Sequence, residues 1–207
     1  MELWDIEKKY LDAGVENICG VDEAGAGPLA GPVYAAAVIL PPYCEIHGLN
    51  DSKKLTEKKR EKLFDVICEQ AIAYSVARVE AAEIDETDIL SARMKAMQLA
   101  IDGLAVQPQM SLIDGNRDKG KCAAVTAPHE LVVGGDGKSA SIAAASILAK
   151  VSRDRYVAEE LERDYPQYRF AKHKGYGTKL HYEMLDQYGP CAAHRITFLK
   201  KWAEKKE

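Results

Sequence analysis

The feature that most constrains this chain is a glycine-rich segment with two adjacent acidic residues. Residues 20–33 read Gly-Val-Asp-Glu-Ala-Gly-Ala-Gly-Pro-Leu-Ala-Gly-Pro-Val. Neighbouring carboxylates repel each other, and each glycine costs backbone entropy on folding. A fold that tolerates both is expected to hold a divalent cation beside a ligand that the main chain approaches closely, because Mg²⁺ takes carboxylate and phosphate oxygens as ligands.

Two further acidic residues follow short apolar segments. Met-Ser-Leu-Ile leads directly into Asp114, and His-Glu-Leu-Val-Val leads through two glycines into Asp136. Each pattern predicts a buried strand that ends where a glycine-rich turn begins. Functional groups of α/β sheets lie beyond the strand ends, so these two acids are expected to join Asp22 and Glu23 in a two-metal site for phosphoryl displacement. The alternative is that Asp and Gly are simply loop-forming residues.

The predicted elements alternate between strands and helices after an initial pair of strands, and they end in helices. This order favours an α/β fold with a mixed sheet flanked by helices and a helical C-terminal segment. Besides the strands that end at the acidic residues, strands are predicted at 33–40, 74–80 and 123–126, and helices at 56–73, 88–104, 141–165, 178–188 and 196–205.

Several sequence blocks together resemble one known family. They are residues 20–33, 49–55, 113–116, 135–136, 142–151, 153–154 and 173–178. Their order and spacing are similar to those of ribonuclease HII, over residues 18–198. The resemblance implies a ribonuclease H-like fold, with a catalytic domain at 1–165 and a C-terminal helical segment at 166–207 that packs on it and contributes to substrate binding.

The resemblance also implies an activity. The family contains endoribonucleases that hydrolyse the RNA strand of RNA-DNA hybrids and cut at ribonucleotides embedded in duplex DNA. Two divalent cations, Mg²⁺ or Mn²⁺, are implied as cofactors, and the products carry 5′-phosphate and 3′-hydroxyl ends. The implied catalytic and metal-binding residues are Asp22, Glu23, Asp114 and Asp136. Asp154, beside two arginines on the predicted long helix, is instead expected to be an ordinary helical ion-pair partner.

A second group of residues is implied to bind the substrate. Tyr176, in a basic loop between two glycines, matches the family's tyrosine that packs on the sugar beyond the ribonucleotide. Ser139 is either a phosphate contact or the N-cap of the long helix. The remaining members of the implied substrate-binding set are Gly25, Ala26, Gly27, Lys53, Lys54, Lys138 and Lys174.

Ala26 departs from the family pattern, which has a basic residue, usually Arg, between the two glycines. Main-chain contacts to the sugar-phosphate backbone survive an alanine, but a cationic side-chain contact does not. The departure motivates an alternative: a hybrid-binding protein with impaired junction-specific cleavage. A dinucleotide-binding enzyme is also considered, but the Gly25-x-Gly27-x-x-x-Gly31 spacing differs from that fingerprint.

Composition gives weaker constraints. The net charge of −4 arises from 28 basic and 32 acidic residues, but the basic residues cluster at 53–62, 169–179 and 200–206, and local patches govern phosphate binding more than the total charge does. The five scattered cysteines predict reduced thiols and a cytoplasmic protein. We expect a monomer that binds nucleic acid and has no membrane partner.

Overall fold

The computed structural model describes residues 3–50, 52 and 55–206. In this part of the chain one mixed sheet has the strand order β3-β2-β1-β4-β5. The two contacts β1–β2 and β2–β3 are antiparallel, whereas β1–β4 and β4–β5 are parallel. The carboxyl ends of β1, β4 and β5 therefore share one edge of the sheet. The strands are β1 (Ile18–Ala24), β2 (Val33–Ile39), β3 (Ala73–Val79), β4 (Met110–Asp114) and β5 (His129–Val132).

Helices flank the sheet and form the C-terminal segment. They are α1 (Asp5–Leu11), α2 (Glu57–Gln70), α3 (Ala81–Glu86), α4 (Ile89–Asp102), α5 (Ala140–Tyr156), α6 (Glu162–Asp164), α7 (Phe170–His173), α8 (Lys179–Tyr188) and α9 (Lys200–Ala203). A π-helical turn, Val157–Leu161, connects α5 to α6, so the predicted helix at 141–165 is confirmed as one helical run. Within the described residues, no helix is both long and apolar enough to cross a membrane.

Two predictions of secondary structure were wrong, and some short helices were not predicted. The expected strand at 123–126 contributes only an isolated bridge between Lys119 and Ala124, because its N–H groups are used elsewhere: Thr126 donates to the Gln98 side chain at 2.7 Å and Val125 to a main-chain carbonyl. The expected helix at 196–205 is divided into a 3₁₀ turn, Ile196–Phe198, and α9. Helices α1, α3 and α7 were not predicted, since none of them shows a long apolar repeat.

The central strand β1 separates two layers of the core. Val21 packs with the residues of α4 on one face of the sheet, whereas Ala24 packs with those of α5 on the other. Helix α5 lies unusually close to the strand: a Cβ built on Gly20 would lie 2.0 Å from the main-chain carbon of Ser141. The run of Ala and Ser in the first half of α5 is thus explained by its backbone contact with the sheet.

The C-terminal helices have a small core of their own. Phe170 and Leu185 are fully buried there, and Leu29 and Ala30 from the glycine-rich segment pack into the same cluster. The C-terminal segment is therefore attached to the sheet domain through the segment that follows β1. This packing ties any movement of the C-terminal helices to the glycine-rich segment.

We predict that Gly20→Ala destabilises the protein by about 2 kcal/mol or more, because the added methyl group has no space between β1 and α5. Urea denaturation measures the change. The control is Gly27→Ala, at an exposed glycine where an added Cβ meets nothing within 4 Å. That control should shift the free energy of unfolding by less than about 0.5 kcal/mol. Equal effects of the two substitutions would contradict the close approach of α5.

Candidate active site

Asp22 and Asp114 lie on the same face of the sheet at neighbouring strand ends. The parallel pairing of β1 and β4 sets Val21 opposite Ile113. Asp22 and Asp114 each follow one of these paired residues, so they lie side by side on neighbouring strands. Asp22 is 5% exposed, and Asp114 is partly buried. Both project towards α5, because Gly20 and Leu112, two residues earlier on each strand, contact that layer. The expected meeting of these carboxylates at one sheet edge is observed.

Glu23 projects from the opposite face of β1. Successive side chains of a strand alternate between faces, and the Glu23 Oε1 atom lies 2.6 Å from an Nη2 of Arg93 on α4. Its main-chain N–H donates to the Asp22 carboxylate at 2.7 Å. The repulsion between the adjacent acids is thus reduced in two ways, by alternation and by an arginine.

Asp136 lies in the turn between β5 and α5. This 3₁₀ turn, Gly135–Gly137, is joined to β4 by a hydrogen bond of 2.6 Å from the Gly135 N–H to the Asp114 carboxylate. Asp136 is 6% exposed. The turn lies directly before α5, the helix that Asp22 also faces.

A cleft of about 220 Å³ opens at this edge. Its lining residues come from β1, the glycine-rich segment, the connection before α2, β4, α5 and the loop after α7: Asp22, Glu23, Ala24, Gly25, Ala26, Ser52, Asp114, Ser146, Lys150 and Tyr176. A larger groove of about 540 Å³ lies between α8 and α9, lined mainly by lysines and aromatic side chains. We assign the chemistry to the smaller cleft, because it contains the three carboxylates.

The donor set of the cleft suits a hard divalent cation, since carboxylate oxygens are its usual ligands. Among the described residues, however, no three acidic, His or Cys side chains are already arranged to hold a metal ion. Protein donors contact the acids instead: Glu23 faces Arg93, and Asp114 accepts the Gly135 N–H. Asp22, Glu23 and Asp114 are the residues that could hold a cation in the cleft, whereas Asp136 is not one of its lining residues.

One wall of the cleft is the glycine loop, residues 25–32, which two buried arginines hold from behind. Arg195, from the C-terminal segment, donates to the carbonyls of Gly25 (2.7 Å), Ala26 (3.0 Å) and Gly31 (2.8 and 3.0 Å). Gly25 has a φ of +91°, and a Cβ there would lie 2.1 Å from the Arg153 Nε atom. A glycine is therefore required at this position, both by the backbone angle and by the packing.

Arg153 of α5 continues the same arrangement. Its guanidinium donates to the carbonyls of Ala30 (3.2 Å), Pro32 (3.3 Å) and Lys174 (3.1 Å). Burial lowers the pKa of Arg153, and burial together with the nearby Arg153 charge lowers the pKa of Arg195 to about 9. Arg195 is thus still a cation at neutral pH, and both arginines place positive charge behind the loop.

Tyr176 forms a second wall of the cleft and is 42% exposed. The Lys150 Nζ atom lies 5.7 Å from the centre of its ring, and the Arg153 guanidinium carbon is also 5.7 Å away. Lys150 is paired with Asp154 at 2.8 Å, which confirms the prediction that Asp154 is a helical ion-pair partner. The cleft therefore combines carboxylates on the sheet side with an exposed aromatic ring and cations on the helical side.

The other predicted substrate contacts have different surroundings. Ser139 is fully buried; its hydroxyl accepts the Ile142 N–H and donates to Glu7, so the N-cap alternative is confirmed and Ser139 is not a surface contact. Lys138 is exposed and donates to a main-chain carbonyl. Lys53 and Lys54 lie outside the described residues.

Sequence reasoning missed Arg93, Lys150 and Arg195. Lys150 had a usable signal, because Ser146 and Lys150 are four residues apart on the predicted long helix and so share one face. The two arginines had none, since their partners lie about 70 and 170 residues away along the chain.

Three buried histidines, here called the histidine trio, pack behind Tyr176: His173, His181 and His194. The rings of His173 and His181 are stacked with centroids 4.2 Å apart. Burial is the main cause that lowers the pKa of His181 and of His194 to about 4. Both are therefore neutral in the folded protein at ordinary pH.

We predict that the trio makes stability depend on pH. The folded-state pKa values lie below the unfolded value of about 6.5, so the stabilisation is complete above pH 6.5 and is lost as the pH falls towards 4. His181→Asn should reduce the slope of unfolding free energy against pH by about 1 kcal/mol per unit between pH 4.5 and 6. Urea denaturation across this range measures the slope, with His47→Asn at an exposed site as control. An unchanged slope in His181→Asn would contradict the prediction.

Comparison with known proteins agrees with this architecture. The family model described as Ribonuclease HII matches residues 19–203. A ribonuclease HII of Caldicellulosiruptor bescii is 54% identical over 197 residues, which cover 95% of this chain and 93% of the relative. A ribonuclease HII of Acetivibrio thermocellus is 50% identical over 202 residues, covering 98% of this chain and 77% of the relative.

Solved structures show the same fold. The ribonuclease H2 of Pyrococcus horikoshii OT3 superposes with a TM-score of 0.73 at 29% identity, covering 91% of this chain and 98% of that one. Bst-RNase HIII, solved in complex with Mn²⁺, gives a TM-score of 0.66 at 17% identity, covering 92% and 70%; this second likeness shows the fold alone.

The mixed sheet, its flanking helices and these structural likenesses define a protein of the ribonuclease H-like fold. The chain belongs to the ribonuclease HII family, as the resemblance of its sequence blocks predicted. It is accordingly an endoribonuclease of the ribonuclease H type, the class that acts on RNA paired with DNA.

Proposed function

We propose that this enzyme cuts the RNA strand of RNA-DNA hybrids and also cuts at single ribonucleotides embedded in duplex DNA. Two divalent cations, Mg²⁺ or Mn²⁺, serve the hydrolysis, which leaves 5′-phosphate and 3′-hydroxyl ends. The observation that carries the proposal is the cleft, in which carboxylates of β1 and β4 face the glycine loop and Tyr176. Such a cleft offers metal ligands and a surface for a sugar-phosphate chain side by side.

The acidic residues hold the cations in this proposal. Asp22, Glu23, Asp114 and Asp136 would supply the oxygen ligands, and cations held there would supply Lewis-acid chemistry for the attacking water and the charge of the scissile phosphate. Glu23 has a further property: a cation and Arg93 compete for its carboxylate, since both are positive. The ion pair with Arg93 holds the Glu23 carboxylate in place until the cation and substrate bind.

The glycine loop and Tyr176 recognise the substrate. The Arg195 guanidinium donates hydrogen bonds to the carbonyls of Gly25 and Ala26. The main-chain N–H groups of this turn are then available to donate to the sugar-phosphate backbone in the cleft. Tyr176 packs on the sugar at the RNA-to-DNA junction, where the 2′-hydroxyl distinguishes RNA from DNA. The C-terminal segment, 166–207, thus contributes to substrate binding through its tyrosine.

The remaining basic residues of the proposed set attract the phosphates of the flanking duplex. They are Lys53, Lys54, Lys138 and Lys174. The exposed Lys138 near the start of α5 suits a contact of this kind, since it is close to Asp136 in the chain. We propose that the enzyme acts as a monomer, since one chain supplies every group named here.

The decisive experiment is cleavage of a DNA duplex that carries one ribonucleotide, with Mg²⁺ and Mn²⁺ supplied in turn. A strand made only of RNA, annealed to DNA, is the second substrate. We expect cleavage of both, dependent on the cation and abolished by a chelator. Cleavage of the hybrid alone would reject the junction activity, and cleavage without a cation would reject the metal-dependent mechanism.

We predict that Asp114→Asn lowers kcat/KM by more than about a hundredfold, because one of the charges that stabilise the reaction is lost. The protein should still fold, since an asparagine Oδ1 can accept the same Gly135 N–H. Cleavage rates and urea denaturation measure the two effects. The control is Asp102→Asn, an exposed acid at the end of α4, which should keep full activity. Near-normal cleavage by a folded Asp114→Asn protein would remove Asp114 from the catalytic set.

We predict that Ala26→Arg raises activity, and more so on a single embedded ribonucleotide than on a long hybrid. A charge-assisted contact to phosphate contributes ~1.5–3 kcal/mol, which corresponds to about tenfold or more. A single ribonucleotide offers one productive register, whereas a long hybrid offers many and tolerates a missing contact. The measurement is kcat/KM of both proteins on both substrates. Equal values would show that the main chain alone performs this recognition.

The alternative of a hybrid-binding protein with impaired cleavage is not favoured. Ala26 is its only motivation, and the Ala26 carbonyl is still anchored by Arg195. The loop therefore keeps its form without a basic side chain at this position, and all four acidic residues are present.

A further inference from the structure

Two members of the histidine trio, His194 and His181, form a continuous hydrogen-bond chain that ends at the main chain of Tyr176. The Cys191 N–H approaches His194 Nδ1 at 3.0 Å, and His194 Nε2 lies 3.0 Å from His181 Nε2. His181 Nδ1 in turn lies 2.9 Å from the Tyr176 carbonyl oxygen. Each imidazole nitrogen of these two rings therefore has a hydrogen-bond partner, and His194 Nδ1 also lies 3.2 Å from the Cys191 Sγ atom. Both rings are fully or almost fully buried.

The donor at one end of this chain, the Cys191 N–H, and the acceptor at the other end, the Tyr176 carbonyl, fix the proton positions. The Cys191 N–H can only donate, so His194 Nδ1 carries no proton and the neutral ring bears its hydrogen on Nε2. That hydrogen points at His181 Nε2, which must accept it. His181 consequently bears its own hydrogen on Nδ1 and donates it to the Tyr176 carbonyl. A further proton, on His194 Nδ1 or on His181 Nε2, would break the chain.

His173 holds the main chain on the N-terminal side of Tyr176. Its Nδ1 accepts the Gly175 N–H at 3.2 Å, its Nε2 donates to the Tyr168 carbonyl at 2.9 Å, and its own carbonyl accepts the Tyr176 N–H at 2.9 Å. The main chain of Tyr176 is thus bound on both its N–H and its carbonyl by residues of the trio.

The chain also connects Tyr176 with the glycine loop. Residues on either side of His194 pair with that loop: the Ala193 carbonyl accepts the Gly31 N–H, and the Arg195 N–H donates to the Leu29 carbonyl, both at 2.8 Å. The Leu29 N–H donates to the Gly175 carbonyl at 2.9 Å. The two walls of the cleft are therefore fixed relative to each other through the C-terminal segment.

We infer that His181 and His194 are positioning residues that set Tyr176 at a fixed distance from the glycine loop, and that this distance determines selectivity for a single embedded ribonucleotide. The inference rests on the proposed role of Tyr176 at the junction. A long hybrid offers many registers and tolerates a displaced ring, whereas a single ribonucleotide must meet the glycine loop and the ring in one register.

A matched pair of substitutions at His181 tests the inference. Asn and Leu have nearly the same shape, but only Asn has an N–H that can take the place of Nδ1–H and donate to the Tyr176 carbonyl. The measured quantity is selectivity, the ratio of kcat/KM on the single-ribonucleotide duplex to kcat/KM on the long hybrid. We expect His181→Leu to lower this ratio at least fivefold and His181→Asn to keep it within twofold of the native value. Equal ratios in the two folded variants would overturn the inference.

Tyr176→Ala separates the inference from the proposed function. We expect it to lower the ratio and to abolish the difference between Asn and Leu at position 181, because His181 acts through Tyr176. Native selectivity in Tyr176→Ala would refute both the role of the ring and the positioning chain. A low ratio in Tyr176→Ala with a native ratio in His181→Leu would overturn the positioning chain alone.

The predicted tautomers can also be tested on the native protein, without any variant. Nitrogen-15 NMR of the histidine side chains distinguishes the two neutral tautomers. We expect His194 to be protonated on Nε2 and His181 on Nδ1 at pH 7. The opposite tautomer at His181 would break the donation to the Tyr176 carbonyl and overturn the inference.

Discussion

The structure depends on the capture of loop carbonyls by two buried guanidinium groups. Arg153 and Arg195 are fully buried, and their donors are directed at main-chain oxygens of the glycine loop. A buried charge is costly unless it is hydrogen-bonded, so the guanidinium groups and the loop carbonyls depend on each other. The loop would otherwise be a set of glycines and prolines with little side-chain packing to order it. The arginines thus convert a flexible sequence into one wall of the cleft.

The adjacent acids on β1 show how a strand accommodates strong repulsion. Alternation turns Asp22 towards α5 and Glu23 towards α4, and Arg93 offsets the charge of Glu23. Asp114 faces Asp22 from the neighbouring parallel strand. The site therefore draws on both layers of the core, and a change in either helix layer reaches the carboxylates.

Much of this arrangement was predictable from the sequence, because its signals are local. Short apolar runs that end in Asp114 and Asp136 predicted strand ends, and the blocks around them identified the family. The opposite orientation of Glu23 also follows from strand alternation. The arginines behind the loop were not predictable, since Arg195 contacts residues 170 positions earlier and a lone arginine carries no periodic signal. The failure of the strand prediction at 123–126 was also not foreseeable, because the Gln98 side chain competes for its N–H groups only in the folded chain.

The anchoring of the Ala26 carbonyl has a consequence for how this loop can vary. Its backbone path is determined by Arg195 and Arg153, whereas the side chain at position 26 is partly exposed to the cleft. The backbone conformation of the loop is therefore determined by the two arginines, whereas its side-chain charge is determined by residue 26. Residue 26 can change its chemical character without disturbing the geometry of the cleft, which makes it a position where substrate preference can diverge while the fold is conserved.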